Sequence, residues 1–172
     1  MSKITVTLGT LDKAIEFIEN YKTQFDGKVK LFIERLGKIG VDTAQAKFST
    51  AQYDGKNDVK VLEPYWEQDK LIVKAVGNAT LFIEFGSGVH YTAQHELADK
   101  MGMRRGEYGK GRGKKDEWAF YGESGTNGRV VRSNDKGDLI LTHGNPPARA
   151  MYEAAKQIRL KILEAARSVF ND

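Results

Sequence analysis

The chain contains no cysteine and only three prolines in its 172 residues. Without cysteine there are no disulfides and no thiolate chemistry, which fits a protein made in a reducing compartment. No apolar run approaches the roughly 20 residues that a membrane-spanning helix needs, so the chain is expected to be soluble, with no membrane partner. The opening "MSKITVTLGTLDKAIEF" lacks a basic start followed by a long apolar stretch, and no signal peptide is expected. Histidine is scarce too, three in all, so the search for general bases and imidazole ligands is short.

Hydrophobic residues make up 40% of the chain and charged ones 29%. That is enough apolar material for a real core and fits a single domain spanning 1–172. The net charge of +4 is unevenly placed. Lys100 to Asp116 holds seven basic and two acidic residues, a local +5, leaving −1 for the rest of the chain. The basicity belongs to one glycine-rich loop insertion around 96–116.

Pattern reading along the chain predicts an α+β fold, with an antiparallel or mixed β-sheet packed against N-terminal helices and a long C-terminal helix. Residues 4–8 ("ITVTL") read as a short strand. Thr10 then caps a helix whose apolar face carries Leu11, Ile15, Ile18 and Phe25. Gly27 is expected to interrupt it before Val29, Phe32, Leu36, Ile39 and Ala46 resume helical spacing to about Ala51, with a bend or close contact at Gly37 and Gly40. Residues 59–62 and 71–76 read as strands joined by the turn material of "EPYWEQD". Asn78 offers a cap for a short helix through Phe85, stopped by Gly86 in a left-handed conformation. Residues 117–121, 129–132 and 138–142 are further strands, joined by hairpin turns.

The clearest segment is the last. Asn145 is a strong N-cap residue and Pro146 suits the first helical position. Ala148, Met151, Ala155, Ile158, Ile162, Ala165 and Val169 then follow steps of three and four, and Tyr152, Leu163, Ala166 and Phe170 widen the stripe. The spacing predicts a helix over 146–170, roughly 37 Å long.

Few residues invite chemistry. His143 has no acidic, serine or cysteine partner at a recognised spacing and reads as a joint between strand and helix. His90, His95 and Glu96 form an H-x4-H-E group, a spacing that places two rings on one face of neither a helix nor a strand. "GEYGKGRGKKDEW" lacks the Ser/Thr and the following helix of a nucleotide-binding loop. It reads either as a solvated loop or as a basic finger that meets nucleic-acid phosphates or an acidic protein surface through Arg104, Arg105, Lys110, Arg112, Lys114 and Lys115. Glu63, Glu67, Asp69 and Glu84 do not share a metal-binding spacing, and Tyr65, Trp66, Phe82 and Phe85 read as core or interface aromatics. No catalytic residue, metal site or cofactor is expected.

Two stretches stand out together. "NATLFIEFGSGVHY" holds Phe-Ile-Glu-Phe-Gly-Ser-Gly at residues 82–88, and "THGNPPARAMYEAAKQI" holds Gly144, Asn145, Pro146, Pro147, Arg149 and Met151. The pair resembles the HK97 gene product 10 family of tailed-phage neck and tail-completion proteins. Members of that family carry an aromatic/aliphatic-Glu-Phe-Gly-Thr/Ser-Gly segment, then a Gly-x-Pro-x-Arg-x-Met/Phe motif opening the last helix. Residues 11–50 agree in type, so the resemblance runs over nearly the whole chain. Ser87 replaces the commoner Thr, and residues 96–137 are longer than in many members. The resemblance implies a non-enzymatic virion subunit of a long-tailed phage or prophage. Such a subunit assembles in a homo-oligomeric ring at the head–tail junction or tail end, against adjacent neck and tail proteins and around passing DNA. It would be made in the host cytoplasm. In this reading Glu84, Phe85, Gly86, Gly88, Gly144, Asn145, Pro146, Arg149 and Met151 fix the fold, and Glu84 is expected to pair with Arg149. Two rivals remain: a nucleic-acid-binding accessory protein using residues 100–115, and a metal-dependent hydrolase using His90, His95 and Glu96.

Overall fold

The computed structural model describes residues 8–91, 95–104, 115–126 and 128–171. The order of elements is helix α1 (Leu8–Ser49), strands β1 (Lys60–Val61), β2 (Tyr65–Glu67), β3 (Lys70–Ile72) and β4 (Ala75–Val76), helix α2 (Thr80–Phe85), strands β5 (Trp118–Gly122), β6 (Arg129–Asn134) and β7 (Gly137–Thr142), and helix α3 (Ala150–Phe170). The fold is α+β: one long N-terminal helix, small antiparallel sheets and a C-terminal helix.

The N-terminal helical segment is one helix of 42 residues, not two. Gly27 does not break it. A helical glycine costs only about 1 kcal/mol, which the long flanking turns absorb. Gly37 and Gly40 are places of close approach rather than bends: a Cβ at Gly37 would run into Leu71, and one at Gly40 would lie 2.8 Å from Ile158 Cδ1. Of the strand expected at 4–8, residues 4–7 lie outside the described residues and Leu8 opens α1.

α3 runs antiparallel to the C-terminal half of α1. Its end is fixed by Phe170, whose ring lies 5.9 Å from Phe25 and 6.0 Å from Phe32, and by Arg35, which donates to the Ser168 carbonyl at 2.8 Å. Its start meets Ala44 and Phe48, which with Val59, Ala79, Ile83, Ala150 and Ala154 form the main core. Burial of the fully enclosed Phe48 and Ile83 contributes about 1.5–3 kcal/mol each. α1 is roughly 63 Å long and α3 roughly 32 Å, so α1 continues well past the end of α3.

Three sheets decorate this pair. β1 and β4 form one ribbon and β2 and β3 another; the third sheet has the order β5-β7-β6. "EPYWEQD" is more than a turn, since Tyr65–Glu67 pairs with Lys70–Ile72 and only Gln68 and Asp69 turn the corner. Trp66 ties that hairpin to α1 by donating from Nε1 to Glu34 at 3.0 Å, and Lys30 lies over its ring. In the third sheet Ile140 is fully buried and Gly128 packs against it.

All three helix starts differ from the sequence reading. α1 begins at Leu8, so Thr10 lies within it rather than at its cap. Asn78 does not cap α2 with its side chain. Instead the carboxylate of Asp58 accepts the N–H groups of Asn78 and Ala79, each at 2.9 Å, and the Asn78 side-chain amide at 3.0 Å. α3 begins at Ala150 rather than Pro146, and the residue at its cap is Arg149, in the left-handed region at φ 55°, ψ 34°. Asn145 is instead buried against Phe82 and Ser87. The apolar stripe of α3 is also only partly covered: Ala154, Ala165 and Val169 are buried, whereas Ile162 and Leu163 face solvent.

Candidate functional site

Phe82–Gly88 and Gly144–Met151 fold as one interlocked unit. Ser87 and Asn145 exchange backbone hydrogen bonds, Ser87 N–H to Asn145 O at 2.9 Å and Asn145 N–H to Ser87 O at 3.2 Å. The carbonyls that end α2 are satisfied by the same passing chain. Ala148 N–H donates to Ile83 O at 2.8 Å, Arg149 N–H to Glu84 O at 3.2 Å, and the Asn145 amide to Phe82 O at 3.3 Å. A helix end leaves such acceptors orphaned, and here a neighbouring segment fills them. This is why Asn145 is buried between the two motifs and does not cap α3.

The glycines make this contact possible. Gly86 has φ 79° and ψ 177°, a region open essentially to glycine alone and different from the left-handed stop expected from the sequence. A Cβ there would lie 2.8 Å from the Asn145 carbonyl oxygen and 2.8 Å from Pro147 N. Gly144, at φ 84°, faces the Ser87 carbonyl with no room for a methyl group, and Gly88, at φ 76°, lies under the Trp118 ring.

Glu84 is the centre of the unit. It is 5% exposed. Its Oε2 accepts from Met151 N–H at 2.8 Å, and its Oε1 accepts from Tyr152 N–H at 3.1 Å. Those are the second and third residues of α3, so a carboxylate from α2 caps α3 across 67 residues of sequence, where the helix dipole also favours negative charge. Oε1 meets His95 Nε2 at 3.0 Å as well. Leu97 N–H donates to His95 Nδ1 at 3.0 Å, which puts the imidazole proton on Nε2 and makes that nitrogen the donor to Glu84. His95 is itself 3% exposed and lies between Phe85 and Tyr152, with ring centroids 4.5 and 5.4 Å away. A buried His–Glu pair is a common catalytic arrangement, but both nitrogens of this ring are committed to fixed partners. What the pair does is hold the 95–101 segment and α3 to α2.

Arg149 reaches Glu84 through its backbone N–H. Its guanidinium pairs with Glu96 at 3.0 Å, so the side-chain pairing expected between Glu84 and Arg149 is replaced by two others. The H-x4-H-E group is dispersed: His90 is exposed beside Tyr91 and His143, His95 is sealed with Glu84, and Glu96 serves Arg149. No group of three or more potential metal ligands occurs among the described residues.

His143 lies at the end of β7, exposed and 3.8 Å from Glu117. With Asp54, Tyr91, Glu117 and Arg129 it lines an open polar pocket of about 330 Å³. Asp54 accepts the Thr142 hydroxyl, and that oxygen accepts Gly144 N–H at 2.8 Å, so the carboxylate there braces the joint after β7.

Of the basic loop, Arg104 donates to Asp99 at 2.8 Å and Lys115 is exposed. Arg105, Lys110, Arg112 and Lys114 lie outside the described residues. Glu67 and Asp69 are solvent-exposed, Glu63 lies 4.0 Å from Lys38, and Tyr65 is exposed while Trp66 is half-buried. The N–H of Ala79, then that of Asn78, holds the Asp58 carboxyl below the usual carboxylate range. Burial, then the charges of Asp58 and Asp54, pushes the Tyr53 phenol up.

Sequence spacing missed two partners here. Asp58 serves Asn78 and Ala79 from 20 and 21 residues away, and the H-x4-H-E spacing that singles out His95 does not point to Glu84, its partner. Comparison with protein-family models, with curated proteins and with solved structures returned no match. The phage resemblance therefore rests on the two motif segments themselves.

Proposed function

We propose that this chain is a non-enzymatic structural subunit of a long-tailed phage or prophage particle, acting in head–tail joining or tail completion as a member of a ring. The observation that carries this reading is the interlock just described. The residues that give the resemblance spend their polar atoms on one another: Glu84 caps α3, Asn145 bridges to Ser87, and Gly86 and Gly144 permit the close contact. Motifs used in this way serve shape, as a subunit that works by geometry requires. A second feature agrees with assembly. The N-terminal half of α1 exposes Phe17 (72%), Ile18 and Tyr21, more apolar surface in one place than an isolated domain usually leaves uncovered.

The test is location. Purified particles bearing this chain should contain it in fixed copy number at the neck or tail end, seen by imaging with a label on its C-terminus. Absence from intact particles, or turnover of a defined compound by the pure protein, would overturn the reading. The local charge of +5 across residues 100–116 favours a second reading as a nucleic-acid-binding accessory protein. Salt-dependent DNA binding, lost on deleting 100–115, in a chain absent from particles would establish it.

A further inference from the structure

α1 and α3 leave two apolar surfaces uncovered at opposite ends of the helix pair. The first is the face of α1 that packs on α3 through Phe25 and Phe32. It continues past Phe170 as Leu11, Ile15, Ile18 and Tyr21, all about half exposed or more. A stripe that binds a helix along one half of its length and ends in water along the other is an interrupted helix–helix contact. The second is a groove of about 490 Å³ between α2, the 95–101 segment and the first half of α3, walled by Leu81, Phe85, Leu97, Met101, Met151 and Ala155. The same face of α3 runs on through the exposed Ile162 and Leu163.

The two surfaces match in length and charge. Leu11 to Phe25 spans roughly 21 Å of helix and Met151 to Leu163 roughly 18 Å. Residues 11–26 carry Asp12, Glu16, Glu19 and Asp26 against Lys13 and Lys22, a net −2. The groove wall carries Lys74, Lys156 and Arg159; Lys156 also approaches Glu153 at 3.7 Å and stays 56% exposed. Of these, Asp26 and Glu19 flank one side of the apolar stripe at helical spacing, where the groove wall would offer them the opposite sign, whereas two copies of the segment laid together would bring like net charge together. The α1 extension cannot reach the groove of its own chain. Leu11 lies roughly 21 Å beyond the Phe25 level where α3 ends, and Met151 lies roughly 28 Å the other way along α3.

We propose that the α1 extension, residues 11–25, of one copy docks along α3 and into the groove of a second copy. Stripe and groove are different patches of one surface, so the contact is head-to-tail and propagates from subunit to subunit until it closes. Methionines 101 and 151 give the groove a wall that adapts to the incoming side chains. This inference rests on the ring reading above and names the surfaces that would build the ring.

Two variants test it in the full-length chain. Ile18→Asp breaks the stripe and Ala155→Glu breaks the groove, each at an exposed position, and each should weaken association about 10–100-fold. Mass photometry and sedimentation should find the unaltered chain in closed assemblies and each variant alone as a monomer. An equimolar mixture of the two should give dimers and nothing larger, because one intact stripe then meets one intact groove. Circular dichroism checks that helix content is kept. If Ala155→Glu unfolds the chain, the pair Lys156→Glu and Arg159→Glu repeats the groove arm. A monomeric unaltered chain, a groove variant that assembles normally, or a mixture that stays monomeric would each overturn the proposal. If the mixing pattern holds but the chain is missing from particles, the docking stands and the virion reading falls.

Discussion

Replacing Glu84 by glutamine changes one atom in the most heavily used side chain of the fold. The amide has a single acceptor oxygen. Turned to keep Tyr152 N–H and His95 Nε2–H on that oxygen, its NH2 group faces Met151 N–H, donor against donor; turned the other way, two bonds are lost instead of one. A buried donor left without a partner costs about 1–3 kcal/mol, and removing a negative charge from a partly buried helix N-terminus costs up to about 2 kcal/mol. The expected loss is therefore about 2–4 kcal/mol, or a fall in Tm of about 4–16 °C for a chain of this size. Urea unfolding followed by far-ultraviolet dichroism measures it, with Glu96→Gln as a surface control expected to cost under about 1 kcal/mol. A double-mutant cycle with His95→Gln should show coupling of at least about 0.5 kcal/mol, while Glu84→Gln and Arg149→Lys should add. If Glu84→Gln costs less than about 0.5 kcal/mol, the carboxylate is not what starts α3, and the account of the interlock fails.

Gly86→Ala forces a methyl group to within 2.8 Å of the Asn145 carbonyl in a backbone region open to glycine; it should cost at least about 2 kcal/mol by chemical denaturation, and Gly144→Ala should behave alike. Gly27→Ala meets nothing within 4 Å on an exposed helix face, so it should stabilise the chain by about 0.5–1 kcal/mol in thermal melts. The Asp58 carboxyl titrates below its unfolded value, so its contribution to stability is present above the ordinary pKa of about 3.9 and is lost as pH falls through the folded value. Asp58→Asn should accordingly flatten the decline of stability in acid below about pH 4, read from urea midpoints measured against pH.

Apolar periodicity made the C-terminal helix, the helical character of the N-terminal segment and the α+β class legible, because a buried stripe repeats every few residues and needs no knowledge of its partner. Helix starts were not legible. Asn78 and Asn145 are the right residue type in the right place for a cap, yet α2 has no side-chain cap, Asp58 only holds the two residues before it from 20 residues away, and Glu84 caps α3 from 67 residues away. A local rule cannot see a carboxylate delivered by tertiary structure. Gly27 misled for a related reason: a breaker signal worth about 1 kcal/mol is small beside a helix held by packing on its far side. At the site, the two motif segments were recognisable as a pair, and the bridge between Ser87 and Asn145 gives the physical reason. His95 stood out only in the company of His90 and Glu96, whereas its Nε2 meets Glu84, a partner that spacing does not show, where the segment packs over Phe85.

The first helix is a rod clamped along one half and free along the other, which makes it a cantilever. Gly27 sits at the edge of the clamp, where bending stress concentrates and where the residue offers the least side-chain bulk to resist it. A tilt of about 10° at that point carries the tip at Leu8 sideways by about 5 Å over a lever of roughly 29 Å. The exposed half of the helix can thereby swing through a small arc while the clamped half stays in register.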